Sequence, residues 1–242
     1  MKEEILDMNP PCVLINGNSF EVLKDMDFRN DKIVVVTDPP FNVGYHYDEY
    51  KDKMKEDEYV EKMCCIFERF PSVVIHYPED LYRFAIALNE VPKRVVSWIY
   101  NSNTAKQHRD IAYFDIVPNF SNLGEYKNPK DKRIMKRIAD GKRPRGYDWI
   151  YSDQIKNVSK EKTEHPCQMP LEVMTYVMKT LPKDITVLDP FAGSGTTLLA
   201  ARNTGLGSIG IEISEKYCDI IRKRIRDSEA PKPRFIQTEM TF

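Results

Sequence analysis

Two stretches of this 242-residue chain set acids beside constrained backbone in a way that can do chemistry. The first is Ile33-Val34-Val35-Val36-Thr37-Asp38-Pro39-Pro40-Phe41-Asn42. Its apolar β-branched run reads as a buried strand that delivers an acid, two prolines and an aromatic ring to its carboxyl end. Proline fixes φ and has no N–H, so Asp38-Pro39-Pro40 is stiff backbone presenting carbonyl acceptors. Asp38 and one such carbonyl can accept both hydrogens of an exocyclic amine, while Phe41 stacks on the flat ring that carries it. Chemistry on a base lifted out of a duplex requires that pair of contacts. Alone, Asp-Pro-Pro is equally an ordinary turn, so the motif needs its companion.

The companion is Val187-Leu188-Asp189-Pro190-Phe191-Ala192-Gly193-Ser194-Gly195-Thr196-Thr197. A strand ends in an acid, turns through Gly-x-Gly and enters a helix opened by Ser and Thr. The glycines permit a tight turn and close ligand approach, and the helix start offers free N–H groups. The dinucleotide pattern G-x-G-x-x-G and the phosphate loop G-x-x-x-x-G-K-[ST] are both absent. Asp189 would repel a pyrophosphate, so the turn suits a cationic or amino-bearing ligand. The next strand ends in Gly210-Ile211-Glu212, a carboxylate where ribose hydroxyls are held in such folds. The plain alternative is a βαβ turn with no ligand.

Both motifs need a sheet to position them. Short apolar runs alternate with helix-like stretches, which predicts an α/β domain with a mostly parallel sheet. The expected strands are Cys12–Ile15, Ile33–Thr37, Val73–His76, Val95–Ile99, Ile111–Ile116, Thr186–Leu188 and Ser208–Ile213. Helices are expected over Glu56–Phe70, Glu79–Glu90, Lys130–Asp140, Pro170–Leu181, Ser194–Asn203 and Ser214–Arg226. From Asn101 to Glu164 the rhythm breaks into polar, Gly/Pro/Asn-punctuated sequence, read as an insert on the core sheet. The division is a core of residues 1–100 and 165–242 and an insert of residues 101–164. The chain as a whole is nearly neutral, with 36 Lys and Arg against 37 Asp and Glu. Between Lys127 and Arg145, however, nine cations face only Asp131 and Asp140. A basic segment in a neutral protein points to a local anionic partner, although a solvated helix face has the same composition.

Together TDPPFN and LDPFAGSGTT resemble amino-methylating DNA methyltransferases that use S-adenosylmethionine. The similarity is to the permuted beta group, in which the catalytic motif precedes the cofactor motif and a target-recognition region separates them. His165-Pro166-Cys167-Gln168-Met169-Pro170 is similar to that family's His-Pro-x-Gln-Lys-Pro element. Gly210-Ile211-Glu212 with Tyr217 resembles its second-strand motif, and Leu14-Ile15-Asn16-Gly17-Asn18-Ser19 the strand that approaches the cofactor adenine. Order and spacing match over essentially the whole chain except Asn101–Glu164.

The resemblance implies a Rossmann-like, seven-stranded, circularly permuted methyltransferase sheet with a small target-recognition insert. It implies catalysis by Asp38, Pro39, Pro40 and Phe41 on a flipped adenine N6, by direct displacement at sulfonium without a covalent enzyme intermediate. S-Adenosylmethionine would be held by Asn18, Gln168, Asp189, Pro190, Phe191, Ala192, Gly193, Ser194, Gly195, Thr196, Thr197 and Glu212. Asp189 would lie near the methionine amine, Glu212 would take the ribose, and Gln168 would close the pocket. DNA is the implied partner, with its phosphates met by Lys127, Lys130, Lys132, Arg133, Lys136, Arg137, Lys142, Arg143 and Arg145. The resemblance also permits a homodimer. This chain departs from the pattern at Asn18, commonly Asp, at Met169, usually Lys, and at Phe41, more often Tyr.

Several readings compete. Cytosine N4 fits the same acceptors, but in the family Ser-Pro-Pro more often accompanies it. RNA or protein glutamine targets go with Asn-Pro-Pro and a different motif order. Pro166-Cys167-Gln168 superficially resembles the nucleophile of cytosine-C5 enzymes, yet that thiol follows the cofactor motif at a place here held by Asp-Pro-Pro-Phe. Cys167 therefore reads as a small packing residue and His165 as a structural residue at a helix start, while His46 and His76 are left out of the site. A binding module with a dead cofactor site is poorly motivated, because no bulky residue replaces Gly193 or Gly195. Five cysteines without C-x-x-C spacing and four scattered histidines argue against a metal or disulfide framework and fit a reducing cytosol. No run approaches the ~18 apolar residues of a membrane span, and the acidic start does not read as a signal peptide.

Overall fold

The computed structural model describes residues 2–26, 32–45, 49, 52–123, 128–142 and 147–228. Lys127, Arg143 and Arg145 of the basic run, together with Tyr126 and His46, lie outside the described residues. The chain opens with β1 (Lys2–Met8), β2 (Pro11–Asn16), α1 (Ser19–Asp25), β3 (Ile33–Thr37), α2 (Glu56–Phe67), β4 (Ser72–His76) and α3 (Pro78–Ala87). There follow β5 (Arg94–Ile99), β6 (His108–Phe114), α4 (Lys132–Ala139) and β7 (Trp149–Tyr151). The carboxyl-terminal part holds α5 (Leu171–Thr180), β8 (Thr186–Asp189), α6 (Thr196–Asn203), β9 (Gly207–Glu212) and α7 (Glu215–Asp227).

Among the described residues the strands form one nine-stranded sheet in the order β1-β2-β9-β8-β3-β4-β6-β5-β7. From β2 through β4 neighbouring strands run parallel. β6 is antiparallel to both β4 and β5. All seven expected strands are present, and β1 and β7 extend the edges beyond the seven-stranded expectation. Hydrophobic pattern does not mark these two edges: β1 has no buried residue, and β7 is three residues long with none buried. The short α1 was likewise not expected.

The central strands show why the fold forms. Every residue of β3 and of β4 is buried, as a parallel strand covered on both faces requires. Alternation sends Val34 and Val36 of β3 into one core with Val173, Met174 and Val177 of α5 and Ala200 and Ala201 of α6. Ile33 and Val35 go into the opposite core with Leu23 of α1, Met63 and Phe67 of α2 and Phe84 of α3. Fully burying each such aliphatic or aromatic side chain contributes about 1.5–3 kcal/mol, so the register of β3 is strongly specified.

The chain passes through β3 long before β8, yet the two are neighbours, with Val35 opposite Leu188. From β8 it crosses to β9 on one side, and from β3 to β4 on the other, so the connections diverge between them. Ligands bind in such a crevice, beyond the strand carboxyl ends. Asp38 follows β3 and Asp189 ends β8, so the topology delivers both acids there.

The segment read as an insert is divided by the sheet. β6 falls within residues 101–164 but lies between β4 and β5, with Val74 opposite Ala112. β7 also returns to the sheet, pairing Trp98 with Ile150. Between these strands, α4 is capped by Asp131, whose carboxylate accepts from Arg133 N at 2.8 Å, and the helix buries none of its residues. Lys130, Lys132, Arg133, Lys136 and Lys142 are exposed, and Arg137 is half-buried. Trp149 is 42% exposed on the edge strand beside Tyr147. No helix among the described residues is long and apolar enough to cross a membrane.

Candidate active site

The crevice encloses about 290 Å³ and is lined by both motifs at once, including Asp38, Phe41, Asp189, Gly193 and Glu212. At its centre stand the two strand-end acids. Asp189 is 2% exposed and accepts from Thr37 Oγ1 at 2.9 Å and from its own turn at Phe191 N, 3.1 Å. Thr37 immediately precedes Asp38, so one hydroxyl ties the end of β3 to the end of β8. Burial pushes the Asp189 carboxyl up to about 6, against the lowering effect of its hydrogen bonds. Asp38 is driven further, to about 7, by burial and by the neighbouring Asp189, with the Arg109 guanidinium pulling the other way.

Arg109 comes from β6. Its Nη1 lies 3.4 Å from Asp38 Oδ2 and 3.5 Å from Oδ1, and each side chain is 14% exposed. The guanidinium carbon also sits 4.5 Å from the Phe41 ring centroid and 5.3 Å from that of Trp98. Arg109 Nη1 is 3.7 Å from Met169 Sδ, so a cation is present beside the position where the family element carries Lys.

A hydrogen-bonded chain holds the Asp-Pro-Pro-Phe turn from beneath. Tyr59 of α2 donates its hydroxyl to the Pro40 carbonyl at 2.7 Å and lies 3.0 Å from His76 Nε2. On the other side, His76 Nδ1 is 3.0 Å from Asp80. The His76 ring lies 4.4 Å from that of Phe41, and burial holds its pKa below the usual histidine value. Among the described residues no donor bonds the Pro39 carbonyl, so the brace uses Pro40 and leaves Pro39.

The glycine turn forms the other wall. Gly193 and Gly195 have φ of 53° and 75°, a left-handed backbone that side chains with Cβ adopt at a cost. A Cβ on Gly193 would stand 3.0 Å from His165 Nε2, and one on Gly195 2.9 Å from Ile221 Cγ1. Glu212, at the end of β9, accepts from Gly193 N at 2.8 Å and Ser214 N at 2.9 Å. Burial pushes its carboxyl up to about 7 despite these donors. Arg224 of α7 ties the turn from below, donating to the Ser194 carbonyl at 2.7 Å and to Thr196 Oγ1 at 2.8 Å. His165 packs edge-on against Tyr217 at 4.5 Å and, being buried, has its pKa lowered to about 4.

Most of the residues expected from sequence meet in this crevice: Asn18, Asp38, Pro39, Pro40, Phe41, the turn from Asp189 to Ser194, Thr196, Thr197 and Glu212 all line it. Gly195 forms the turn from behind, as the residue before α6. Gln168 is a correction. It does not line the crevice but is buried in its own loop, accepting from Thr163 N at 2.8 Å and donating to the Glu161 carbonyl at 2.6 Å. An amide can satisfy both ends on loop backbone, and there it braces residues 161–168. Cys167 is corrected too: it is exposed on the crevice wall rather than packed. The Asn18 side chain caps α1 by accepting from Phe20 N at 3.0 Å. Arg109, Arg224, Thr37 and the chain through Tyr59 and His76 were not expected.

These residues fit the S-adenosylmethionine that the sequence resemblance implies. The left-handed turn packs against His165 and Ile221 too closely for any Cβ, which brings its backbone to the crevice wall, and Glu212 on that wall keeps acceptor capacity for hydroxyls beside the backbone donors it already meets. Asp189 places a carboxylate within reach of an ammonium.

Comparison with known proteins agrees. Residues 80–223 match the N6_N4_Mtase family model of DNA methylases. The chain is 31% identical to Type II methyltransferase M.ScaI of Streptomyces caespitosus, covering 88% of this chain and 81% of that one. DNA adenine methyltransferase YhdJ of Escherichia coli is 24% identical, over 90% of this chain and 83% of the relative. Among solved structures, the M1.HpyAVI–SAM complex superposes with a TM-score of 0.60 at 24% identity, over 88% of this chain and 98% of the other. With both motifs lining one crevice at the strand switch point, the chain belongs to the N6/N4 DNA methylase family and has its α/β methyltransferase fold.

Proposed function

We propose that this chain methylates the N6 amine of adenine in DNA at a specific site, with S-adenosylmethionine as donor and the target base flipped into the crevice. The observation that carries the reading is the meeting of Asp38 and Asp189 at adjacent strand ends inside one crevice. Asp-Pro-Pro rather than Ser-Pro-Pro, and the relative named for adenine, support N6 over the runner-up, cytosine N4.

In the base half, Asp38 Oδ accepts one amine hydrogen and the Pro39 carbonyl the other. Two acceptors fixed on stiff backbone aim the nitrogen lone pair and favour its passage from planar to tetrahedral. Phe41 stacks on the base. A base on the Phe41 face now covered by Arg109 takes the guanidinium's place. In the cofactor half, Glu212 would hold the ribose hydroxyls and Asp189 the amino acid ammonium, beside the Gly193 turn. Bound cofactor supplies an electrophilic methyl on a sulfonium sulfur. The exposed cations of α4 and its flanks meet DNA phosphates, and the chain between β6 and β7 contributes to target recognition.

Asp38→Ala tests the reading. Turnover falls ~100-fold or more, because a positioned partner of the transition state is gone. Cofactor affinity by calorimetry stays near wild type, since the Gly193 wall is untouched. Near-wild-type methyl transfer by the variant overturns the assignment.

A further inference from the structure

We propose that Arg109 is a positioning residue for methyl transfer: it is the counter-ion that keeps Asp38 a carboxylate, and the stand-in that covers Phe41 until the base arrives. The inference rests on the proposed reading of Asp38 as acceptor of the target amine.

Three features of the geometry point there. First, Arg109 contacts both groups that a flipped base takes over, Asp38 at 3.4 Å and the Phe41 ring at 4.5 Å. A flat, N–H-bearing guanidinium is chemically similar to the amine edge of a base. Second, the contact is loose. Charge-assisted N–H···O bonds run about 2.7–2.9 Å, whereas both Arg109 contacts to Asp38 are near 3.5 Å, and its buried Nε has no hydrogen-bond partner. A buried donor left without a partner is unfavourable, so the base-free arrangement is readily displaced. Third, Asp38 needs a cation. The groups facing it are Asp189 from β8, Arg109 from β6, and His76 and Tyr77 beyond Phe41 at the end of β4, with Tyr100 on the far side of Arg109. Asp189 opposes its ionisation, and burial weighs against a charged His76, although Asp80 on its far side favours one. Arg109 is the cation in that set.

A protonated Asp38 keeps a carbonyl acceptor but loses the negative charge that stabilises the positive charge developing on the attacking amine, so the acid form is the less productive one. Burial already places the Asp38 carboxyl near 7, and removing an opposite charge from within 4–6 Å raises a carboxylate by a further ~1–3 pH units. The pH dependence of kcat/KM reports groups of the free enzyme, which is the state with Arg109 on Asp38.

The test is the acid limb of kcat/KM for Arg109→Met and Arg109→Lys beside wild type. Cofactor calorimetry confirms that each variant is folded, and Asp38→Asn is carried in parallel. Arg109→Met is expected to move the limb up by ~1 pH unit or more, about a 10-fold loss at pH values below it, with recovery at high pH. Arg109→Lys is expected to restore most of the wild-type limb, and cofactor affinity to stay within about 2-fold in both. A limb that does not move, or a loss equal at every pH, overturns the role given to Arg109. If Asp38→Asn keeps its turnover, a neutral amide acceptor suffices and the counter-ion role fails, whereas near-wild-type turnover in Asp38→Ala fails the acceptor reading itself. An inactive Asp38→Asn with an unmoved Arg109→Met limb removes only the counter-ion.

Discussion

Glu212→Gln should separate stability from function in opposite directions. The Glu212 carboxyl is 7% exposed and pushed from 4.5 to about 7 by burial. An acid raised in the folded state favours that state while protonated, and the benefit is lost as pH rises from the unfolded value through the folded one. Integrating between about pH 5.5 and about pH 8, the ionisation of Glu212 withdraws ~2 kcal/mol of stability from the ligand-free protein. Gln cannot ionise, so the variant escapes this loss. It can, however, accept from only one of the donors Gly193 N and Ser214 N, leaving the other unsatisfied at a cost of ~1–3 kcal/mol. The variant is therefore expected to be less stable than wild type at about pH 5.5 and to close that gap by ~2 kcal/mol by about pH 8. At ~2–4 °C per kcal/mol for a chain of this size, that is a relative rise of ~4–8 °C. Cofactor binding moves the other way: losing a charged acceptor for hydroxyls costs ~1.5–3 kcal/mol, or roughly 10- to 100-fold in affinity. Thermal unfolding at both pH values and calorimetry with S-adenosylmethionine read the two effects. A Tm difference independent of pH, or unchanged cofactor affinity, refutes the reasoning.

Gly195→Ala should destabilise by ~1–2 kcal/mol from its left-handed φ of 75° alone, and by more because its Cβ meets Ile221, a fully buried residue of α7 that cannot easily yield. Denaturant unfolding checks this, and a wild-type midpoint contradicts it. Replacing Lys130, Lys132, Arg133 and Lys136 with Gln should flatten the salt dependence of DNA binding, lowering the slope by ~0.9 for each phosphate no longer neutralised, with cofactor affinity unchanged. Identical slopes in a salt titration would show α4 to be a solvated surface and move the DNA path elsewhere. Sequence preference should survive that replacement, because phosphate contacts position a duplex without reading it.

The sheet was legible because its central strands are covered on both faces, so the apolar runs Ile33-Val34-Val35-Val36 and Val73-Val74-Ile75 stand out. The edges were not, since solvent on β1 and the brevity of β7 erase that signal. Polar punctuation around residues 101–107 hid the fact that β6 belongs to the core. The acids and glycines of the site are held by local backbone, and local backbone is what a motif encodes. Arg109, Tyr59 and His76 act across long separations in the chain, and nothing in their immediate neighbourhoods shows that they converge on Asp38-Pro39-Pro40-Phe41. Gln168 shows the converse: its position follows the family element, but its side chain is satisfied by residues 161 and 163 and does not line the crevice.

Transfer of a labelled methyl group from S-adenosylmethionine into DNA, followed by digestion to nucleosides and mass analysis, tests the central claim most directly. Label in N6-methyladenine, lost in Asp38→Ala, is the predicted result. Label only in N4-methylcytosine contradicts the adenine assignment, and wild-type protein that binds cofactor yet labels no DNA contradicts the claim altogether.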